Sequence, residues 1–141
     1  MKSNFLNISI CVLVLILVGA ACSSFTKGKE AGERAVAKFH ERLDAEKYDE
    51  IYADLADEFK KVSSEEDAKQ LFEAVHRKLG KVKNAQLVAF NTNTTTQGSF
   101  TVLNYETEFE LDKGTETFTF VVNGDDAKIA GYHTNSKAFM K

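Results

Sequence analysis

At Gly80 the spacing of apolar residues changes from a period of about 3.6 to a period of about 2. A chain with helical spacing before a glycine and strand spacing after it belongs to the α+β class, its helices forming a layer on an antiparallel sheet. Before the switch, Ala31, Ala35, Val36, Phe39 and Leu43 recur at three- and four-residue steps between Lys29 and Glu46. Glu33, Arg34, Lys38, Glu41 and Arg42 fill the remaining face, so this stretch is an amphipathic helix. A second stripe, Tyr48, Ile51, Tyr52, Leu55, Phe59 and Val62, comes after a bend at residues 46–49. Ser63 and Glu66 have capping-box spacing and open a third helix with a core face of Ala68, Leu71, Phe72, Val75 and Leu79. Gly80 supplies its left-handed stop.

After the switch, Thr, Val, Phe and Tyr become frequent, and strands are predicted at Val82–Thr92, Ser99–Leu111, Thr115–Val122 and Ala127–Thr134. The links are short: a polar loop from Thr94 to Gly98, then Asp112-Lys113-Gly114, then Asn123-Gly124, a type I′ hairpin signal. Such links make sequence neighbours antiparallel. In the second strand Leu103, Tyr105, Phe109 and Leu111 share one face with Thr101 and Thr107, while Asn104, Glu106, Glu108 and Glu110 form a wet, acidic face. Phe118, Phe120 and Val122 alternate with Thr117, Thr119 and Val121 in the third. The expected architecture is a set of N-terminal helices packed on a curved four-stranded antiparallel sheet.

The N-terminus carries a different message. Lys2 is the only charged residue before Lys27, and the 14 residues from Ile8 to Ala21 are apolar except for Ser9 and Cys11. A membrane-spanning helix needs about 20 such residues, and a shorter run suits the core of a cleaved export signal. Gly19-Ala20-Ala21-Cys22 resembles the lipobox of bacterial lipoproteins, with Gly19 standing where a larger apolar residue is usual. The resemblance implies that Cys22 receives diacylglycerol on its sulfur, gains further acyl chains such as palmitate, and becomes the new N-terminus. It also implies a signal peptide at 1–21, a polar tether at 22–28 and one domain at 29–141. An uncleaved signal anchor, or ordinary cleavage after Ala20 or Ala21, is the competing reading. Ser23 in place of Asp after the cysteine resembles an outer-membrane address, which puts the domain in the cell envelope, facing the periplasm in a Gram-negative host.

Composition bounds the rest. Cys11 and Cys22 are the only cysteines, so a processed chain has no thiol left for a disulfide. Its 120 residues suffice for one self-supporting core. With 17 basic against 21 acidic side chains after loss of the leader, there is no electrostatic case for nucleic acid. Three scattered histidines give no zinc pattern, and no phosphate loop or nucleophile elbow occurs, so no metal or cofactor is implied.

The domain also resembles the small exported bacterial domains of unknown function in the nuclear transport factor 2-like, or cystatin-like, superfamily. The resemblance is carried by residues 43–49 (Leu-Asp-Ala-Glu-Lys-Tyr-Asp), residues 59–63 (Phe-Lys-Lys-Val-Ser), Leu79-Gly80-Lys81 and residues 128–132 (Lys-Ile-Ala-Gly-Tyr). It implies a sheet curved into a cone that serves as enzyme pocket, binding pocket or filled core in different members. An isomerase or hydratase in such a cone needs a buried acid–base group with a tyrosine beside it. His40, His76 and His133 are the histidines, with His40 on the rim of its helical stripe and His76 near a helix C-terminus. His133 is the strongest functional candidate of the three, and Tyr52, Tyr105, Tyr132 and His133 form the expected pocket set. No catalytic spacing occurs among them. The expected role is a membrane-anchored, non-catalytic module binding a partner protein or a small apolar ligand. The alternatives are a small-pocket isomerase or hydratase, and an immunity-like inhibitor that meets a basic partner through Glu106, Glu108 and Glu110.

Overall fold

The computed structural model describes residues 26–96 and 98–140; Cys22, the leader and residues 22–25 of the tether lie outside the described residues. Helix α1 covers 26–44, so the chain is already helical at Thr26, within the stretch expected to be tether. It buries Ala31, Val36, Phe39, His40 and Leu43, and Glu46 (φ 58°) turns the chain back.

The second apolar stripe is two helices, α2 (Tyr48–Asp54) and α3 (Asp57–Val62). Between them Leu55 and Ala56 are extended, and the Ala56 N–H donates to the Ile129 carbonyl at 2.9 Å. A backbone bond that would have continued the helix goes to the sheet instead. The break reorients α3 relative to α2, and Val62, read from the sequence as core, is 85% exposed. Helix α4 (Glu65–Leu79) is capped one residue later than expected. Ser64 Oγ accepts from the Asp67 N–H at 3.1 Å and donates to the Asp67 carboxylate at 2.6 Å, while Ser63 closes α3. Ala68, Phe72, Val75 and Leu79 are buried as predicted, whereas Leu71 sits at the exposed edge of the stripe.

Gly80 ends α4 at φ 76°, its N–H bonded to the His76 carbonyl at 2.8 Å. A Cβ there would stand 2.9 Å from the Glu110 Cβ, so a side chain meets both an unfavourable backbone and an occupied space. Gly80→Val is expected to lower folding stability by more than about 1 kcal/mol. An unshifted urea midpoint would contradict this.

The sheet runs β1 (Val82–Thr95), β2 (Gly98–Phe109), β3 (Lys113–Asn123) and β4 (Asp126–Ser136), antiparallel throughout in the order β1-β2-β3-β4, with a 3₁₀ turn (Lys137–Met140) after it. This is the α+β architecture that the change of period at Gly80 predicts. Two local expectations are corrected. Strand β2 stops at Phe109, whose N–H bonds the Asp112 carbonyl at 2.9 Å, and Leu111 leaves the core face to become 68% exposed. The β3–β4 turn is Gly124-Asp125, closed by Asn123 opposite Asp126. Only Gly124 (φ 62°) has positive φ there, the pattern of a type II′ turn in place of type I′.

Three β-bulges bend the sheet, two in β1 (between Val82 and Asn84 and between Leu87 and Ala89) and one in β4 between Ile129 and Gly131. The bulge in β4 decides which side chains enter the core. Ile129 pairs with Phe120 and Gly131 with Thr119, so Ala130 is an extra residue and the alternation reverses after it. Tyr132, opposite Phe118, therefore faces the helices, and His133, opposite Thr117, faces away. The core between the layers is built on Leu43, Phe72, Leu79, Leu103, Phe118 and Phe120.

Candidate functional site

Glu116 occupies the middle of this core. It lies two residues from Phe118 on β3, so strand alternation turns it inward, and its exposure is 0%. An ionised carboxylate is costly in such a place unless donors surround it. Three do. His40 Nε2–H, from α1, donates to Oε2 at 2.9 Å; the Thr107 hydroxyl, from β2, donates to the same oxygen at 2.6 Å; and the Tyr132 hydroxyl, from β4, donates to Oε1 at 2.8 Å. One carboxylate thus links the helical layer to three strands. Around it the Phe118 ring meets Phe39 at 5.3 Å, Tyr132 at 5.0 Å, His40 at 5.9 Å and Tyr105 at 6.0 Å between centroids.

The electrostatics are set by this packing. Burial pushes the Glu116 carboxyl up, but the hydrogen bond and electrostatic pull of His40, joined by the Thr107 and Tyr132 hydroxyls, outweigh it and hold the carboxyl below its ordinary value. Burial first, and then the Glu116 charge, drives the Tyr132 phenol well above its ordinary value. Tyr105 is pushed up to about 12 by burial, then by Glu33 and Glu116. The array is a carboxylate acceptor with neutral phenols beside it. General acid–base chemistry needs such a group within hydrogen-bond reach of a substrate, and Glu116 is enclosed on all sides.

The openings lie elsewhere. A cleft of about 250 Å³ separates α1, α2 and the β3–β4 hairpin, with Phe39, Ile51, Leu55 and Ile129 at its floor. Arg34, Lys38 and Arg42, at four-residue steps on α1, form one rim. They reach across it: Lys38 Nζ to Asp54 Oδ2 at 2.6 Å, Arg42 Nη1 to the same oxygen at 2.5 Å, and Arg34 Nη2 to the Asp125 carbonyl at 3.0 Å. The Lys38 hydrogen bond, with Arg42 adding to it, holds the Asp54 carboxyl below its ordinary value against the opposing effect of burial. A wider cleft of about 610 Å³ lies at one end of the sheet. Asn84, Gln86, Glu106, Glu108, Thr115 and Asn135 give it a polar lining.

Of the expected pocket set, Tyr105 and Tyr132 each pack against the Phe118 ring. Tyr52 lies apart from them on α2, its ring under Lys60 Nζ at 5.5 Å. His133 is exposed on the outer face of the sheet. His76 is half-buried, and its Nε2 has no hydrogen-bond partner among the described residues. Sequence reading missed Glu116, although the signal was present: it has the same parity as Phe118, Phe120 and Val122. His40 on the rim of its helical stripe was the other half of that signal.

Among the described residues no helix is long and apolar enough to cross a membrane, and no group of three or more His, Cys, Asp or Glu is placed to hold a metal ion. Residues 35–132 match the family described as Protein of unknown function (DUF4019). No curated protein matches the chain. The crystal structure of a "Putative Scytalone Dehydratase" from Novosphingobium aromaticivorans DSM 12444 aligns at a TM-score of 0.48 and 11% identity, over 77% of this chain and 83% of that one.

Proposed function

We propose a binding role in the cell envelope for this chain, which belongs to the DUF4019 family of proteins of unknown function. The protein is a lipoprotein held to the membrane through Cys22, and its domain receives a partner protein in the cleft between α1, α2 and the β3–β4 hairpin. The observation that carries the reading is the build of that cleft, an apolar floor with Lys38 and Arg42 both paired to Asp54 on its rim. This is the anatomy of an interface hot spot, where a dry centre is enclosed by a polar rim. At about 250 Å³ the cleft lies just below the range of about 300 to 1,000 Å³ usual for small-molecule pockets, and the occupant proposed is an apolar side chain presented by a protein, its polar surroundings meeting the charged rim.

A second reading, a small-pocket isomerase or hydratase, is favoured by the His40–Glu116–Tyr132 array. It requires an opening that brings substrate to Glu116, which has no exposed surface. The binding reading is tested by site-specific photocrosslinking in cells carrying the full chain. A probe at Lys128, on the cleft rim, is expected to trap one protein that a probe at Glu66, on the exposed side of α4, does not. No adduct from Lys128, or the same adducts from both positions, would count against the cleft.

A further inference from the structure

We infer that the end of the domain bearing the β1–β2 and β3–β4 turns is the surface held against the lipid bilayer. The inference rests on the proposed lipid anchor at Cys22, and it adds an orientation. Thr26, the first described residue of α1, is four residues from Cys22, and four residues of extended chain reach at most about 14 Å. Whatever lies beside the first turn of α1 is therefore close to the membrane surface.

That neighbourhood is well defined. Lys27 Nζ is 3.8 Å from Asp125 Oδ1 in the β3–β4 turn. A Cβ on Gly28 would stand 3.1 Å from Thr101 Oγ1 and 3.8 Å from Val122, and Lys29 Nζ lies 5.7 Å from the Phe90 ring centroid. Because Ser99 pairs with Val122, both turns project from this same end of the sheet. Helix α1 then runs to the opposite end, where Asp44 Oδ1 accepts from the Val82 N–H at 2.9 Å. A strand of 12 residues such as β2 spans about 40 Å, so the opposite end stands well outside the reach of the tether.

The surface chemistry suits headgroups. Thr94, Thr96, Asn123 and Gly124 are exposed, small and uncharged, Lys27 lies 3.8 Å from Asp125 beside them, and the exposed Asp126 is followed by the exposed Lys128. Hydroxyls and amides can hydrogen-bond to headgroup oxygens without entering the acyl region. The outer sheet face is less suited, because Glu106 and Glu108 would meet the negative potential of anionic lipid. With the turns toward the bilayer, the polar cleft of about 610 Å³, beside the link between β2 and β3, lies at the end of the sheet farther from the membrane.

The test uses the full, processed protein in vesicles of phosphatidylethanolamine and phosphatidylglycerol. Since lipid occupies Cys22 in that form, a single introduced cysteine is the only free thiol. Fluorophores at Thr96→Cys and at Lys137→Cys are compared for quenching by a headgroup-linked quencher. Quenching is expected to be several-fold stronger at position 96. Equal quenching, or stronger quenching at position 137, on protein whose Cys22 lipid is confirmed by mass spectrometry, would overturn the orientation alone. A Cys22 without lipid would overturn the anchor reading and this inference with it.

Discussion

Replacing Glu116 by Ala is expected to cost about 3–5 kcal/mol of folding stability, because the change leaves three buried donors without an acceptor and a cavity in their midst. Glu116→Gln keeps the shape and one carbonyl acceptor, and its cost is expected to be about 1–3 kcal/mol. Urea denaturation of the two variants separates packing from charge. The same residue sets a pH dependence. Its carboxyl is held below the ordinary value in the fold, so the unfolded chain takes up the proton first. Stability from Glu116 is therefore complete above the ordinary carboxyl range and is lost as pH falls through the lower folded value. Glu116→Gln should lose that part of the acid dependence and keep the rest. A cost below about 1 kcal/mol for Glu116→Ala would contradict the network, since one unsatisfied buried donor alone costs that much.

Phe118→Ala is expected to destabilise the domain by about 3–5 kcal/mol, the range for emptying a large aromatic site in a packed core. Phe118 is fully buried and its ring contacts Phe39, Tyr105, Phe120 and Tyr132, so relaxation into the void is hindered on every side. Leu111→Ala is the informative partner. Periodicity alone puts Leu111 on the same inner face as Phe109, but the chain turns at Asp112 and leaves it 68% exposed. Its truncation should stay within about 0.5 kcal/mol. A large loss at Leu111 would show that β2 continues past Phe109.

The class of fold was legible because the period of apolar residues is a direct record of which face each element buries. The four strands and the stop at Gly80 come from it. The illegible parts lie where tertiary hydrogen bonds override local pattern. The break at Leu55-Ala56 exists because Ala56 bonds to Ile129, a residue 73 positions away, and nothing local announces that bond. The bulge at Ala130 is of the same kind. Strict alternation from Ile129 would bring His133 inward with the core, and one extra residue brings Tyr132 inward in its place. Glu116 was hidden for another reason: a charged residue among threonines is ordinarily read as solvated. Parity with Phe118 was the better guide, and His40, next to Phe39 and one turn from Val36, was the partner to seek.

The central claim is that the acid in the middle of this fold is a buried, ionised acceptor for His40, Thr107 and Tyr132. The most direct test tracks the carboxyl-carbon NMR shift of Glu116 as pH is lowered. The account predicts that Glu116 keeps the shift of an ionised carboxylate after the exposed glutamates have protonated, and changes only at lower pH or when the domain unfolds. Titration together with the exposed glutamates, or above them, would contradict it.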